Sequence, residues 1–251
     1  MLRIYTILFF SILLIGCAES SGDIAAEASG STGQGGSLAR FTIIGNYLYT
    51  LESDALQWFE IAADGKLTQK GELQLNEGKE TIFPLDNLLF LGATDGLSIF
   101  QVEAEGEPVF QSEIEHFVGC DPVVADDEFA YVTLRLESCP GVFRNNTIDV
   151  LNIYDVTDIT NPQEIASYPM NDPRGLGLAG DILFVGQGAN GMVIMDVTDP
   201  LDVQTITTLE DVHVNDVIVL PEVLLVIGPE KIVQFDYSDP TNLVKLSEIG
   251  I

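Results

Sequence analysis

Residues 180–200 read GDILFVGQGANGMVIMDVTDP. A Gly-Asp pair opens the stretch, and the short apolar run Ile182-Leu-Phe-Val follows. Glycines at 186, 188 and 191 then reverse the chain, and a second run, Met192-Val-Ile-Met, ends on Asp196 and the turn sequence Thr198-Asp199-Pro200. Two short β-rich runs around a Gly/Asn turn read as a hairpin. The same Gly-rich turn is not a phosphate loop, because strands lie on both sides of it and no helix follows.

The second run recurs along the chain. Its mark is an apolar or aromatic residue just before an acid or amide: Trp58-Phe59-Glu60, Ile99-Phe100-Gln101, Ile153-Tyr154-Asp155, Ile194-Met195-Asp196 and Gln234-Phe235-Asp236. From Glu60 to Gln101 is 41 residues, then 54, 41 and 40, so the third unit carries an insertion, read at residues 139–147 (CPGVFRNNT). An upstream run repeats at the same period, around Tyr49, Phe90, Tyr131, Phe184 and Val226. No segment after residue 38 keeps a helical period. In the fourth unit the strands are expected at 175–179, 182–186, 192–197 and 203–208. A repeat of about 40–45 residues with four strands is the signature of a propeller blade. The expectation is an all-β fold, a β-propeller of five four-stranded blades over residues 38–251, with an open five-unit array as the alternative. Each blade starts at its inner strand and finishes at its outer one, which leaves no strand exchange between first and last blades. Closure is then expected to rest on face-to-face packing and contacts near the axis.

Val150-Leu-Asn-Ile-Tyr-Asp-Val-Thr-Asp, Met192-Val-Ile-Met-Asp-Val-Thr-Asp-Pro and Ile232-Val-Gln-Phe-Asp-Tyr-Ser-Asp-Pro resemble the LVIVD repeat of secreted bacterial propeller-like proteins. Residues 120–139 also resemble a lipoprotein subgroup with these repeats. The first two blades depart from the pattern, with Glu60-Ile-Ala-Ala-Asp-Gly and Gln101-Val-Glu-Ala-Glu-Gly in place of the Asp turns. The resemblance implies fold and compartment, and it carries no catalytic residues.

The N-terminus points to the same compartment. Arg3 precedes an uncharged, mostly apolar run, Ile4 to Ile15, too short to span a bilayer and fitting a signal peptide over residues 1–16. Leu14-Ile15-Gly16-Cys17 resembles the lipobox, so Cys17 is the expected lipidation site and membrane anchor. Residues 17–37 are then the lipidated Cys and a Gly/Ser/Ala tether, spanning roughly 25 Å as a flexible coil. Placement in the cell envelope, lipid-anchored and at the outer membrane, is the expectation. The chain of 251 residues carries 39 acids against 10 bases, a net charge of −29. That field repels phosphate backbones, which argues against nucleic acid as a partner.

Candidate chemistry is sparse. Asp155/Asp158, Asp196/Asp199 and Asp236/Asp239 recur with the repeat and read as turn residues that bond backbone amides, rather than as metal ligands. Cys120 and Cys139, in an oxidising compartment, are expected to form a disulfide. His116 and His213 do not share a repeat position, and no catalytic elbow, P-loop or dinucleotide fingerprint is present. Ten places before the aligned apolar positions stand Ala39, Glu80, Asp121, Arg174 and Asp216, just ahead of each inner strand. In a propeller these ring one channel mouth, with Arg135 as a further positive group near them. Three acids and one Arg predict a small polar ligand or a basic side chain of an envelope protein. The function expected is that of a binding or interaction module with no cofactor; the alternative is a propeller hydrolase or lactonase-like enzyme with a metal in the mouth.

Overall fold

A computed structural model describes residues 35–94, 96–115, 122–135 and 149–251. These residues form five separate four-stranded antiparallel sheets, each built from consecutive strands, arranged as the five blades of a β-propeller. No helix occurs among the described residues. The inner strands are Phe41–Ile44, Lys79–Leu85, Val123–Ala125, Leu176–Ala179 and Asp216–Val219. The outer strands are Leu67–Gln74, Pro108–Glu115, Gln163–Pro169, Gln204–Leu209 and Val244–Gly250. In blade four the strands lie within one residue of the expected bounds.

The recurring apolar-acid mark has a physical cause. In all five blades the pairing of third and outer strands shifts register at that mark, between Trp58 and Phe59, Ile99 and Phe100, Ile153 and Tyr154, Ile194 and Met195, and Gln234 and Phe235. One extra outer-strand residue is looped out at each shift, and such a bulge adds right-handed twist. Repeated bulges give each blade the twist it needs to pack on its neighbour.

Tyr49, Phe90, Tyr131 and Phe184 are fully buried and face the following blade. Each such side chain contributes about 1.5–3 kcal/mol by leaving water, and the Tyr49 hydroxyl donates to the Gly106 carbonyl oxygen at 2.8 Å. Hydrophobic clusters join blade one to two, two to three, three to four and four to five.

The fifth seam is built differently. Among the described residues no cluster joins blade five to blade one, and Ile218, Leu225, Ile227 and Ile232 on one side and Ile43, Leu48, Phe59 and Ile61 on the other are only half-buried. Polar contacts bridge the gap instead. Residues 35–39 form a strap in which Ser37 Oγ donates to Asp216 Oδ1 at 3.0 Å and accepts from the Leu176 amide at 2.8 Å. The Leu38 amide reaches Asp216 Oδ2 at 3.4 Å, and the Ile82 amide donates to the Ala39 carbonyl at 2.9 Å. The strap thus ties blades five, four and two to blade one, and closure rests on contacts near the axis.

Candidate functional site at the propeller mouth

All inner strands begin at one end of the propeller, and there stand Arg40, Arg135 and Arg174. Glu80 is delivered by a local irregularity: Lys79 pairs with Ala93 and Thr81 with Gly92, so Glu80 is the looped-out residue of a bulge. Bulges re-aim side chains near binding sites, and this one leaves Glu80 lining a cavity of about 320 Å³ together with Leu38, Pro122, Arg135, Pro173, Arg174 and Asn215. Four blades and the strap contribute to that wall.

Arg174 is held firmly. Its Nε and Nη2 donate to Asp172 Oδ2 at 3.2 and 3.1 Å, its Nη1 donates to Asn215 Oδ1 at 2.7 Å, and its carbonyl accepts from Thr133 Oγ1 at 2.8 Å. Asp172 also faces Arg135 Nη1 at 3.5 Å. To stand between the two arginines, Asp172 adopts φ 48°, a left-handed conformation uncommon for a residue with a Cβ. Gly188, itself at φ 56°, packs behind the pair, and a Cβ there would run into the Asp172 carboxylate and the Arg174 guanidinium. Arg40 stands near Glu80, its Nε and Nη2 donating to the Leu51 and Lys79 carbonyls at 3.2 and 3.5 Å. Glu80 has no hydrogen-bond partner among the described residues, and burial raises its carboxyl pKa against the weaker opposing pull of Arg40 and Arg135.

The structure places the expected mouth residues unequally. Glu80, Arg174 and Arg135 line the cavity, whereas Asp216 does not. Its carboxylate lies between Gly36 and Gly175, bonded to the strap, and enclosure pushes its pKa up to about 6. The reason is register. Tyr49, Phe90, Tyr131 and Phe184 each pair with the residue just before the bulge, and in blade five the residue so paired is Leu225. The alignment on Val226 is therefore one residue out, and a one-residue slip turns a side chain to the other face. Ten places before Leu225 is Asn215, the true equivalent of Arg174; both residues' amides bond the matching second-strand carbonyls, Ile227 and Gly186. Asn215 was hidden by that slip, Asp172 by lying off the repeat position, and Arg40 by following Ala39 at blade one. Asp121, Cys17, Cys120, Cys139 and the 139–147 insertion lie outside the described residues.

Two other features fall away from this mouth. The Asp turns occupy the opposite end, and each carboxylate is engaged locally: Asp196 Oδ1, for example, accepts from the Thr198 amide at 2.9 Å and its hydroxyl at 2.6 Å. Asp155, Asp158, Asp236 and Asp239 repeat that arrangement. Among the described residues no three His, Cys, Asp or Glu side chains converge in a way that would hold a metal ion. The axial channel is a separate cavity of about 370 Å³, walled by apolar side chains such as Phe83, Val124, Leu178 and Val217.

Comparison with known proteins agrees with the fold and stops there. No family model matches the chain, so the LVIVD resemblance rests on the quoted residues alone, and no curated protein matches either. Among solved structures, a protein from Lactobacillus plantarum is similar at 15% identity with a TM-score of 0.64, over 82% of this chain and 73% of that one. A periplasmic gluconolactonase of Pseudomonas aeruginosa is similar at 14% identity, TM-score 0.62, over 82% and 68%. The computationally designed Ika8 protein is similar at 12% identity, TM-score 0.58, over 83% and 60%. At these identities the likeness is one of propeller fold, and fold does not imply function.

Proposed function

We propose that this chain is a lipid-tethered envelope protein whose propeller is a binding module, with the arginine-lined mouth as its working surface. The observation that carries this reading is the convergence on one cavity of Glu80, Arg135, Arg174 and Asn215 from four blades, backed by Asp172 and Gly188. A rim needing only solubility has no use for a residue held at positive φ against two arginines. The Gly16-Cys17 junction supports the tether, Ala18 directly after it fits outer-membrane sorting, and the net charge of −29 disfavours nucleic acid. The partner is a small polar ligand or an envelope protein presenting one. A crosslinked pull-down from native membranes tests the reading. Glu80→Lys and Asn215→Lys should each abolish capture with the sheet spectrum unchanged. Capture that persists in the double variant moves the working surface to the 139–147 insertion.

A second reading has one observation in its favour. Glu80, half-buried and unpartnered with a raised pKa, has the character of a general base, and a similar fold serves a periplasmic gluconolactonase. Opening of an aldonolactone by the wild-type protein, lost in Glu80→Gln, would assign this chain to hydrolysis.

A further inference from the structure

Among the described residues, the charge of the mouth is opposite to that of the molecule. The chain has five arginines, and three of them, Arg40, Arg135 and Arg174, gather around this one cavity in a protein of net charge −29. With Asp216 turned to the strap, Glu80 is the one carboxylate among the described lining residues.

Donor counting makes the site more specific. A guanidinium carries five N–H donors and no acceptor. Arg174 spends one on Asn215 and two on Asp172, which leaves two without a partner among the described residues. Because Arg174 can only donate, Asn215 must present its amide oxygen to it, and the Asn215 NH2 is left without a partner among the described residues. Arg135 adds a second guanidinium at 21% side-chain exposure, steadied by Asp172. Unpaired planar donors beside a fixed fork suit a carboxylate, which accepts two parallel N–H bonds. Leu38, Pro122 and Pro173 supply apolar wall, and the volume is that of a small molecule. Glu80, on the blade-two side, disfavours a dianion such as phosphate and offers an acceptor for a hydroxyl or ammonium group.

We infer that the mouth binds a small monocarboxylate, its carboxyl group held by Arg174, Asn215 and Arg135 and a second polar group set against Glu80. This inference rests on the mouth being the binding surface and adds the ligand class.

The test is calorimetric titration of the purified full-length protein with lactate, with its uncharged amide lactamide, with inorganic phosphate and with ethanolamine. Lactate should bind, and lactamide should bind at least about tenfold more weakly, since charge-assisted hydrogen bonds are roughly twice as strong as neutral ones. Arg174→Gln should weaken lactate by a similar factor. Because Arg174 also braces Asp172, Asn215→Asp serves as the second variant: it sets a negative charge against the carboxylate and should weaken lactate by a larger factor than it weakens lactamide. Glu80→Gln should tighten lactate at pH 7. Equal affinity for lactate and lactamide, or phosphate bound in preference to both, overturns the carboxylate assignment. Ethanolamine bound in place of lactate, and lost in Glu80→Gln, leaves the mouth as the site and reverses the sign of its ligand. No binding by any of the four overturns the carboxylate inference, and the pull-down decides separately whether the mouth is the binding surface.

Discussion

At the scale of single residues, Asp216 has exchanged an expected role in the mouth for one in closure. Its carboxylate accepts from Ser37, Leu38 and its own neighbour Val217, yet enclosure outweighs those bonds and lifts its pKa from 3.8 to about 6. The sign follows by linkage. A folded-state pKa above the unfolded one means the folded chain holds the proton more tightly, so stability from this group is full below pH 4 and is lost as pH rises through 6. Asn keeps the acceptor for Ser37 and carries no charge to desolvate. Asp216→Asn should therefore match the wild type near pH 4 and exceed it by about 2 kcal/mol at pH 7, from a shift of roughly two pKa units discounted for the lost charge-assisted bonds. Urea melts at both pH values measure it, and a variant no more stable at pH 7 would show that the strap needs the charge. The sequence put Asp216 near the mouth and missed Asn215 because period counting tolerates a one-residue slip that a pleated strand does not.

At the scale of strands, the repeat was legible because bulge and turn both leave side-chain marks. A period-two run that ends in an acid, then Thr or Ser, then Asp records a third strand, its bulge and an Asp turn in sequence order. The first two blades lack the Asp turn and keep the bulge, which is why they depart from the sequence pattern of blades three to five while sharing their geometry. Left illegible was blade two's bracing. Lys79, 3% exposed, sits in an inner strand and donates from Nζ to Ser98 Oγ at 2.8 Å and Glu113 Oε1 at 2.9 Å. A lysine there reads as a break in an apolar strand, since its partners stand 19 and 34 residues away. Hydrogen bonding from Lys79 holds the Glu113 carboxyl below its usual pKa. Glu113→Ala strands a buried ammonium and should cost about 3 kcal/mol, at the low end for a broken buried pair because Glu113 is one-third exposed. Lys79→Met, which removes the charge along with the gap, should cost less. Equal losses in the two variants, by denaturant melts, would mean that the side-chain volume of Lys79 matters and the pairing does not. The same bracing positions the site, because Lys79 immediately precedes the bulge that delivers Glu80.

At the scale of the whole molecule, the five blades are held by two kinds of seam. Four carry interdigitated apolar clusters, and the fifth carries the strap and half-buried aliphatic faces. Nothing in the repeat distinguishes them: Leu225 holds the same position in blade five as Phe184 in blade four, and both are apolar. The difference comes from the ring, where five four-stranded sheets meet with no exchanged strand among the described residues to lock the last to the first. The negative charge of −29 acts on the same seam, since self-repulsion opens the least packed interface first and screening by salt relieves it. Truncation at the repeat position reads out the asymmetry. Phe184→Ala removes a fully buried ring from a packed cluster and should cost about 3–5 kcal/mol. Leu225→Ala, at a half-buried face outside every cluster, should cost about 1 kcal/mol, near the average for any substitution. Hydrogen exchange should agree, with blades one and five losing protection before blades two to four. A Leu225→Ala loss as large as that of Phe184→Ala would show that blades one and five pack in solution as tightly as the other four pairs. The strap would then be an accessory to closure, and the stability assigned to Ser37 and Asp216 would have to be found in the sheets.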